Sequence, residues 1–495
     1  MRFKSGREGC TFGCKEMKNK LVKRALLFCL TALMVLFAAV ALADDPAAQD
    51  AVLRRLEDYD RLNPTCRALR LGASPEFYAG LGADACQTVL DVCEELSLMG
   101  ETVLAAQLLR GLPQKTAQTE YVRAYLTGDD GALHAAAGLG TGVAFPSRAI
   151  ELRALQSAVA KAPGDANARG LLACLLYANG HHAEAAALWE EAAALDPENP
   201  AHPRNLAVAS YSHLGRREDA LPLLRRALAL HPHDGQLIFE TAHVMLRTHQ
   251  PPQEVAALLA AENCPREDVR IEHCRALNLC GRYEEALSLM LAAPFTPCEG
   301  GEHAVAAQYM FAHHALGRKA LAAGDSQGAL AHFTAAKTLP ESLGAGLWNA
   351  VLLVPHRHYE AVCLRALGRG DEADAIWTEI LSIQKDYFTD MNLPELPCWQ
   401  AMACRALGRD AQAQALIAAH VRAQEAAARA VCPGWAGTTP FFLSYMEDPQ
   451  TVRRGARRWQ LAMAHFAAGD TQAAAQLARE ALYDDPVNLY ATLMI

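Results

Sequence analysis

The chain has 495 residues, 52% of them hydrophobic and 20% charged, with a formal net charge of −9. That composition excludes wholesale disorder, and the length accommodates two or three average domains or one long repeat array. Residues 1–43 hold 8 Lys or Arg against 2 Glu, which leaves 38 basic and 53 acidic residues, a net charge of −15, for the rest. So acidic a body disfavours nucleic-acid binding, whose affinity comes from neutralising phosphates.

In chain order, the first element is an export segment. From Met17 the sequence runs MKNKLVKR, then ALLFCLTALMVLFAA, then Val40-Ala41-Leu42-Ala43 before Asp44. This is the basic, apolar and small-residue order of a secretory signal. Residues 1–43 are therefore predicted to be a signal peptide or an N-terminal anchor, because residues 25–43 are just long enough to span a bilayer. Either reading places the body in the periplasm or outside the cell. Twelve cysteines remain in that body, singly and mostly within apolar helical stretches such as LLACLLY, with no Cys-x-x-Cys. They read as buried thiols, although an even count in an exported chain leaves one or two disulfides open.

Beyond the leader the sequence repeats. Gly180, Ala185, Trp189, Ala192 and Pro197 recur 35 residues later as Gly215, Ala220, Leu224, Ala227 and Pro232. The core of the pattern, Gly, then Ala five residues on, then a large apolar residue four further, returns from Gly100, Gly281, Gly324, Gly368 and Gly408, and with a small third residue from Gly469. Each part has a mechanical reason in a helix hairpin. The Gly ends the first helix in the left-handed conformation. The Ala lets the two backbones cross closely, and the large residue fills the gap between hairpins. Pro197, Pro232 and Pro486 stop second helices. This pattern resembles the tetratricopeptide repeat and predicts an all-α superhelix, an α-solenoid of antiparallel hairpins.

The predicted organisation is irregular helical repeats over 44–150, the array proper over 151–430, and an aromatic loop with a last repeat over 431–495. Regularity lapses at 113–150, which is rich in Gly and ends in Phe145-Pro146. It lapses again in the loop PFTPCEGGEH at 294–303 and in VCPGWAGTTPFFLSYMEDPQ at 431–450. The segments AFPSRAIELRALQSAVAKAPGD, FTPCEGGEHAVAAQYMFAHHALGRKALAAGD and LPESLGAG, in that order, resemble the tetratricopeptide tail of large bacterial proteins with an N-terminal sugar-enzyme-like β-sandwich. That resemblance covers roughly residues 50–490 and implies proximity to carbohydrate metabolism. The β-sandwich half is missing here. Cys298 and Ser342 also depart from the family's usual aromatic residue and Asn.

A search for chemistry finds no nucleophile elbow, phosphate loop, dinucleotide fingerprint or zincin motif. No catalytic residue, metal ligand or cofactor is predicted. His181/His182, His313/His314 and His356/His358 are too closely spaced on a helix to chelate as pairs. Glu299, Glu302 and His303 form at most a small oxygen-rich turn. Counted from each Gly, the concave first-helix positions hold Asn205 and His213, Arg275 and Asn278, His314 and Arg318, His358 and Arg365, Arg405, and Trp459. Four arginines on successive hairpins form a ladder suited to carboxylates, set against a body with only 5 Lys, in which Arg fills exposed positions by composition. The expected function is a non-catalytic exported scaffold gripping a protein or peptide, acidic in character, through this groove. The alternative is an accessory to a separate carbohydrate-active, β-sandwich partner.

Overall fold

The computed structural model describes residues 45–59, 63–142, 144–297, 302–347, 349–429 and 445–495. The export segment, Cys298, the Glu299-Gly300-Gly301 turn, Cys432 and most of the aromatic interruption lie outside the described residues. The chain divides between Asn179 and Gly180 into two compact units.

The described residues contain helices and no strand. The first unit holds α1 (Pro46–Tyr59), α2 (Pro64–Leu71), α3 (Pro75–Ala79), α4 (Ala85–Met99), α5 (Thr102–Gly111), α6 (Ala117–Thr127), α7 (Asp130–Ala137), α8 (Ala149–Lys161) and α9 (Ala166–Ala178). The second begins with α10 (His182–Leu195) and continues as hairpins: α11 (Ala201–Ser212) with α12 (Ala220–Leu230), α13 (Gly235–Arg247) with α14 (Pro252–Glu262), α15 (Glu267–Leu279) with α16 (Tyr283–Leu291), and α17 (Glu302–Ala322) with α18 (Ser326–Ala335). Then come α19 (Val354–Ala366) with α20 (Gly370–Ser382), the short α21 (Tyr387–Asn392), α22 (Leu396–Ala406) with α23 (Asp410–Arg429), α24 (Pro449–Ala468) with α25 (Thr471–Asp484), and α26 (Leu489–Thr492).

The repeat register holds at all eight predicted positions. All eight glycines of the pattern have φ between +66° and +87°, where an L side chain is strained. The Ala five residues after each is at most 1% exposed. The third position carries the core: Leu109, Trp189, Leu224, Met290, Phe333 and Trp377 are buried, and Ile417 is half-buried against the same cluster as Trp377. Helices α10, α12 and α25 each end two residues before Pro197, Pro232 and Pro486. Asp234, next to Gly235, caps α13 by accepting the Gln236 and Leu237 amides at 2.8 and 3.0 Å.

The stretch 113–150 is more regular than its glycines suggest. It contains a complete hairpin, α6 and α7. Thr116 and Thr119 form a reciprocal cap on α6, Gly128 ends it at φ +70°, and Asp129 starts α7 by accepting the Gly131 and Ala132 amides. The crossing residue here is Ala132, four residues after the Gly rather than five, and it is fully buried. The second helix starts two residues after the Gly, as after Gly324 and Gly469, so it is the earlier crossing residue that takes this hairpin out of the expected pattern.

The last segment folds back. Leu489 on α26 joins Phe311 and Ala315 of α17, with Leu279, Tyr283, Tyr490 and Leu493 packed around them. The Tyr490 ring lies edge-on to Phe311 at 5.3 Å and to His314 at 5.2 Å. Thus α26 lies against first helices of earlier hairpins.

Candidate ligand groove

Successive first helices of the second unit, α11, α13, α15, α17, α19, α22 and α24, present one wall. In this acidic protein its N-terminal half gathers guanidinium groups. Arg204 on α11 donates to both carboxylate oxygens of the buried Glu240 on α13, at 2.9 and 3.2 Å from Nε. Glu240 also accepts from Gln236 Nε2 at 2.8 Å. On α15, Glu272 is 1% exposed and is paired with Arg275. His243 and Arg247 of α13 approach the same carboxylate at 3.4 and 3.6 Å. Burial opposes ionisation of Glu272, but Arg275, His243 and Arg247 together hold its carboxyl down at about 2. Burial lowers the pKa of His243 and of Arg247 from their ordinary values.

A segment from far along the chain completes the cluster. Glu447 receives Arg217 through Nη1 at 2.5 Å and Nη2 at 3.0 Å, and accepts the Tyr211 hydroxyl. Arg247 Nε stands 3.7 Å from it. Arg217 also lies 4.4 Å over the Tyr211 ring. Two residues earlier, Tyr445 is buried edge-on to Tyr211 at 5.4 Å, and its hydroxyl donates to Glu240 at 3.2 Å. Between them, the Met446 amide donates to Ser212 Oγ at 3.0 Å while its side chain is exposed. Nearby, burial pushes the Asp485 carboxyl up, opposed by the Val487 amide and by the charges of Arg247 and Arg275.

The ten sequence-predicted groove residues do not form one open ladder. Asn278 is 1% exposed and donates to Gln308 at 3.0 and 3.2 Å. His314 is equally buried, its Nδ1 3.2 Å from that of His356. His358 is 7% exposed and accepts the Trp377 indole N–H at 3.3 Å. These three belong to the interior, and burial depresses both imidazoles, His358 to about 4. Arg275 is committed to Glu272. Arg365 is exposed but pairs with Asp374, donates to the Ala406 carbonyl at 3.1 Å and lies over Trp377. Trp459 donates to Glu395 at 3.3 Å. Asn205 accepts from Arg204 at 3.0 Å, and His213 stacks on His182 at 3.8 Å. Arg318 sits between the Tyr359 and Phe466 rings at 5.7 and 5.9 Å, and Arg405 lies beside Gly469. Neither of the last two has a carboxylate within 4 Å among the described residues.

The expectation of an open inner wall is thus corrected: residues 445–447 and α26 lie on it. Sequence reasoning missed Arg204, Tyr211, Arg217, Glu240, Arg247 and Glu447, because the cluster joins residues up to 236 positions apart that no periodicity links. The one available signal was the Tyr-Met-Glu run closing the aromatic interruption. Among the described residues, no group of three or more His, Cys, Asp or Glu is placed to hold a metal ion. The ten described cysteines are free thiols, five of them buried.

No family model matches the chain, and no curated protein sequence matches it. Among solved structures the chain is similar to YrrB, a tetratricopeptide-repeat protein with an unusual peptide-binding site, at 19% identity and a TM-score of 0.30 over 37% of this chain and 91% of that one. It is also similar to a tetratricopeptide repeat protein from Parabacteroides merdae, at 13% and 0.28 over 57% and 98%. A third is PilW, a type IV pilus biogenesis factor, at 17% and 0.27 over 46% and 94%. At these values the likeness is one of fold alone. The chain's own geometry, eight left-handed glycines each followed by a buried crossing alanine, makes it an all-α array of tetratricopeptide repeats.

Proposed function

We propose that this chain is a non-catalytic scaffold, exported by residues 17–43, that binds an acidic protein or peptide segment along the wall of first helices in its second unit. The observation that carries the reading is the concentration of Arg204, Arg217, Arg247 and Arg275 on that wall in a chain of net negative charge. Guanidinium groups held by neighbouring helices receive carboxylates bidentately and with defined direction. Stacked repeats supply a long, pre-formed surface on which to display them. The peptide-binding site in the name of YrrB agrees with this use of the fold. The narrower alternative, an accessory to a carbohydrate-active partner, rests on the sequence resemblance alone.

Site-specific photo-crosslinkers test the scaffold reading. Placed at the exposed wall positions His213 and Arg365, they should give partner adducts in envelope fractions. Placed at Gln472 and Gln476, exposed on a second helix, they should not. Adducts confined to the second-helix positions refute a wall-binding scaffold.

A further inference from the structure

The wall around Tyr211 has an unbalanced charge of its own. Among the described residues, Arg204 pairs with Glu240, Arg247 and Arg275 share Glu272, and Arg217 meets no carboxylate of the first helices. A further negative charge arrives from a segment 200 or more residues along the chain, as Glu447, which meets Arg217 and Arg247. A partly buried guanidinium without a counter-charge is strongly unfavourable, so this wall is built to be occupied by an acidic segment. The occupant present shows how the surface reads one. Tyr445 and Glu447 point inward and Met446 outward, so the side chains alternate between wall and solvent. The inward pair is held by groups from three separate elements: Tyr211 on α11, Arg217 on the following turn, and Glu240 and Arg247 on α13. The outward residue is held through its backbone amide alone, by Ser212. Side chains read at alternate positions plus a main-chain contact are the mode by which grooves recognise extended peptides.

We propose that the cleft formed by Tyr211, Ser212, Arg217, Glu240 and Arg247 is a recognition site for an extended Tyr-x-Glu segment, that Tyr445-Met446-Glu447 fills it as the chain's own ligand, and that a partner protein bearing the same pattern competes for it. This inference rests on the scaffold reading and names its specificity and its control. Tyr211 and Glu240 select the aromatic residue by edge-on packing and a phenol hydrogen bond. Arg217 and Arg247 select the carboxylate two positions later. Being tethered, the internal segment acts at high effective concentration, so the intact chain binds external peptide weakly until a partner of higher affinity, or one presented in multiple copies, displaces it.

The test uses the full chain and a fluorescein-labelled hexapeptide, YMEDPQ, followed by anisotropy. The double variant Tyr445→Ala, Glu447→Gln should bind the peptide at least 10-fold more tightly than the unaltered chain. A peptide with Gln in place of its Glu should bind that variant at least 10-fold more weakly, as should the original peptide when Arg217→Gln is added. Equal affinity of the double variant and the unaltered chain, or indifference to the Glu-to-Gln change, overturns the proposal. If circular dichroism shows that the double variant has lost its helical fold, Glu447→Gln alone keeps the Tyr445 anchor and should still tighten binding about 3-fold; no change overturns the proposal equally. Wall adducts in the crosslinking experiment with no gain on release of the segment refute the self-ligand and leave the scaffold standing. A gain on release with adducts only on second helices does the reverse.

Discussion

Replacing Gly317 with alanine puts a methyl group 2.7 Å from Cζ and 2.9 Å from both Cε atoms of Phe333. Two effects oppose each other. Gly is about 0.5–1 kcal/mol worse than Ala inside a helix, so the substitution gains that much from α17 itself. Overpacking a filled core costs about 1–3 kcal/mol, and relief requires the ring to move. Phe333 is fully buried, stacked within 13° of parallel on Tyr359 and packed with Ala329 and Cys363, so its movement is blocked on the far side. Steric cost prevails, and the expected outcome is a net loss of roughly 1 kcal/mol. Gly370 provides the control: it is also helical, but an added Cβ would meet nothing within 4 Å, so Gly370→Ala should be neutral or slightly stabilising. Urea titrations followed by circular dichroism read both. Phe333→Leu should make Gly317→Ala tolerable, giving a coupling of about 0.5 kcal/mol or more in a double-mutant cycle. Equal shifts at the two glycines, or additivity with Phe333→Leu, would refute the close crossing of α17 and α18.

Two further outcomes are expected. His356 and His358 are buried with pKa values pressed down to about 3 and about 4, by desolvation first. Both are neutral in the fold, whereas the unfolded chain takes up protons near 6.5; stability is therefore fully present above pH 6.5 and is lost as pH falls towards the folded values. At pH 5 the loss is about 2 kcal/mol for each, and a urea midpoint unchanged between pH 7 and pH 5 would contradict their burial. Thiol labelling of the native chain should spare Cys93, Cys274 and Cys363, which are fully buried and pushed up to about 12, 12 and 11. Mass spectrometry after timed alkylation checks this, and Cys274 reacting as fast as the half-buried Cys264 would refute it.

What was legible in the sequence was whatever is local and periodic. The spacing from Gly180 to Ala185 and Trp189 fixes a turn, a crossing and a core contact within ten residues, and every copy keeps it. The hairpin at Gly128 escaped because its buried crossing alanine, Ala132, lies four residues after the glycine rather than five. The wall was harder, for a different reason. Counting from glycines locates positions on the first helices but does not say whether a neighbouring helix or a returning segment covers them. Asn278, His314 and His358 looked like groove residues because they are polar, yet each finds its hydrogen-bond partner inside. Arg217 is on a turn, outside the counted positions, and its partner Glu447 is 230 residues away; no spacing rule connects them.

The same separation sets a timetable for the nascent chain. Hairpins that touch only their neighbours can assemble in chain order as each becomes available, from α11 onward. The seat for Tyr445 and Glu447 is complete at Arg247, about 200 residues before its occupant is made. During that interval Arg217 lacks its carboxylate partner, and the segment bearing Glu447 supplies it only later.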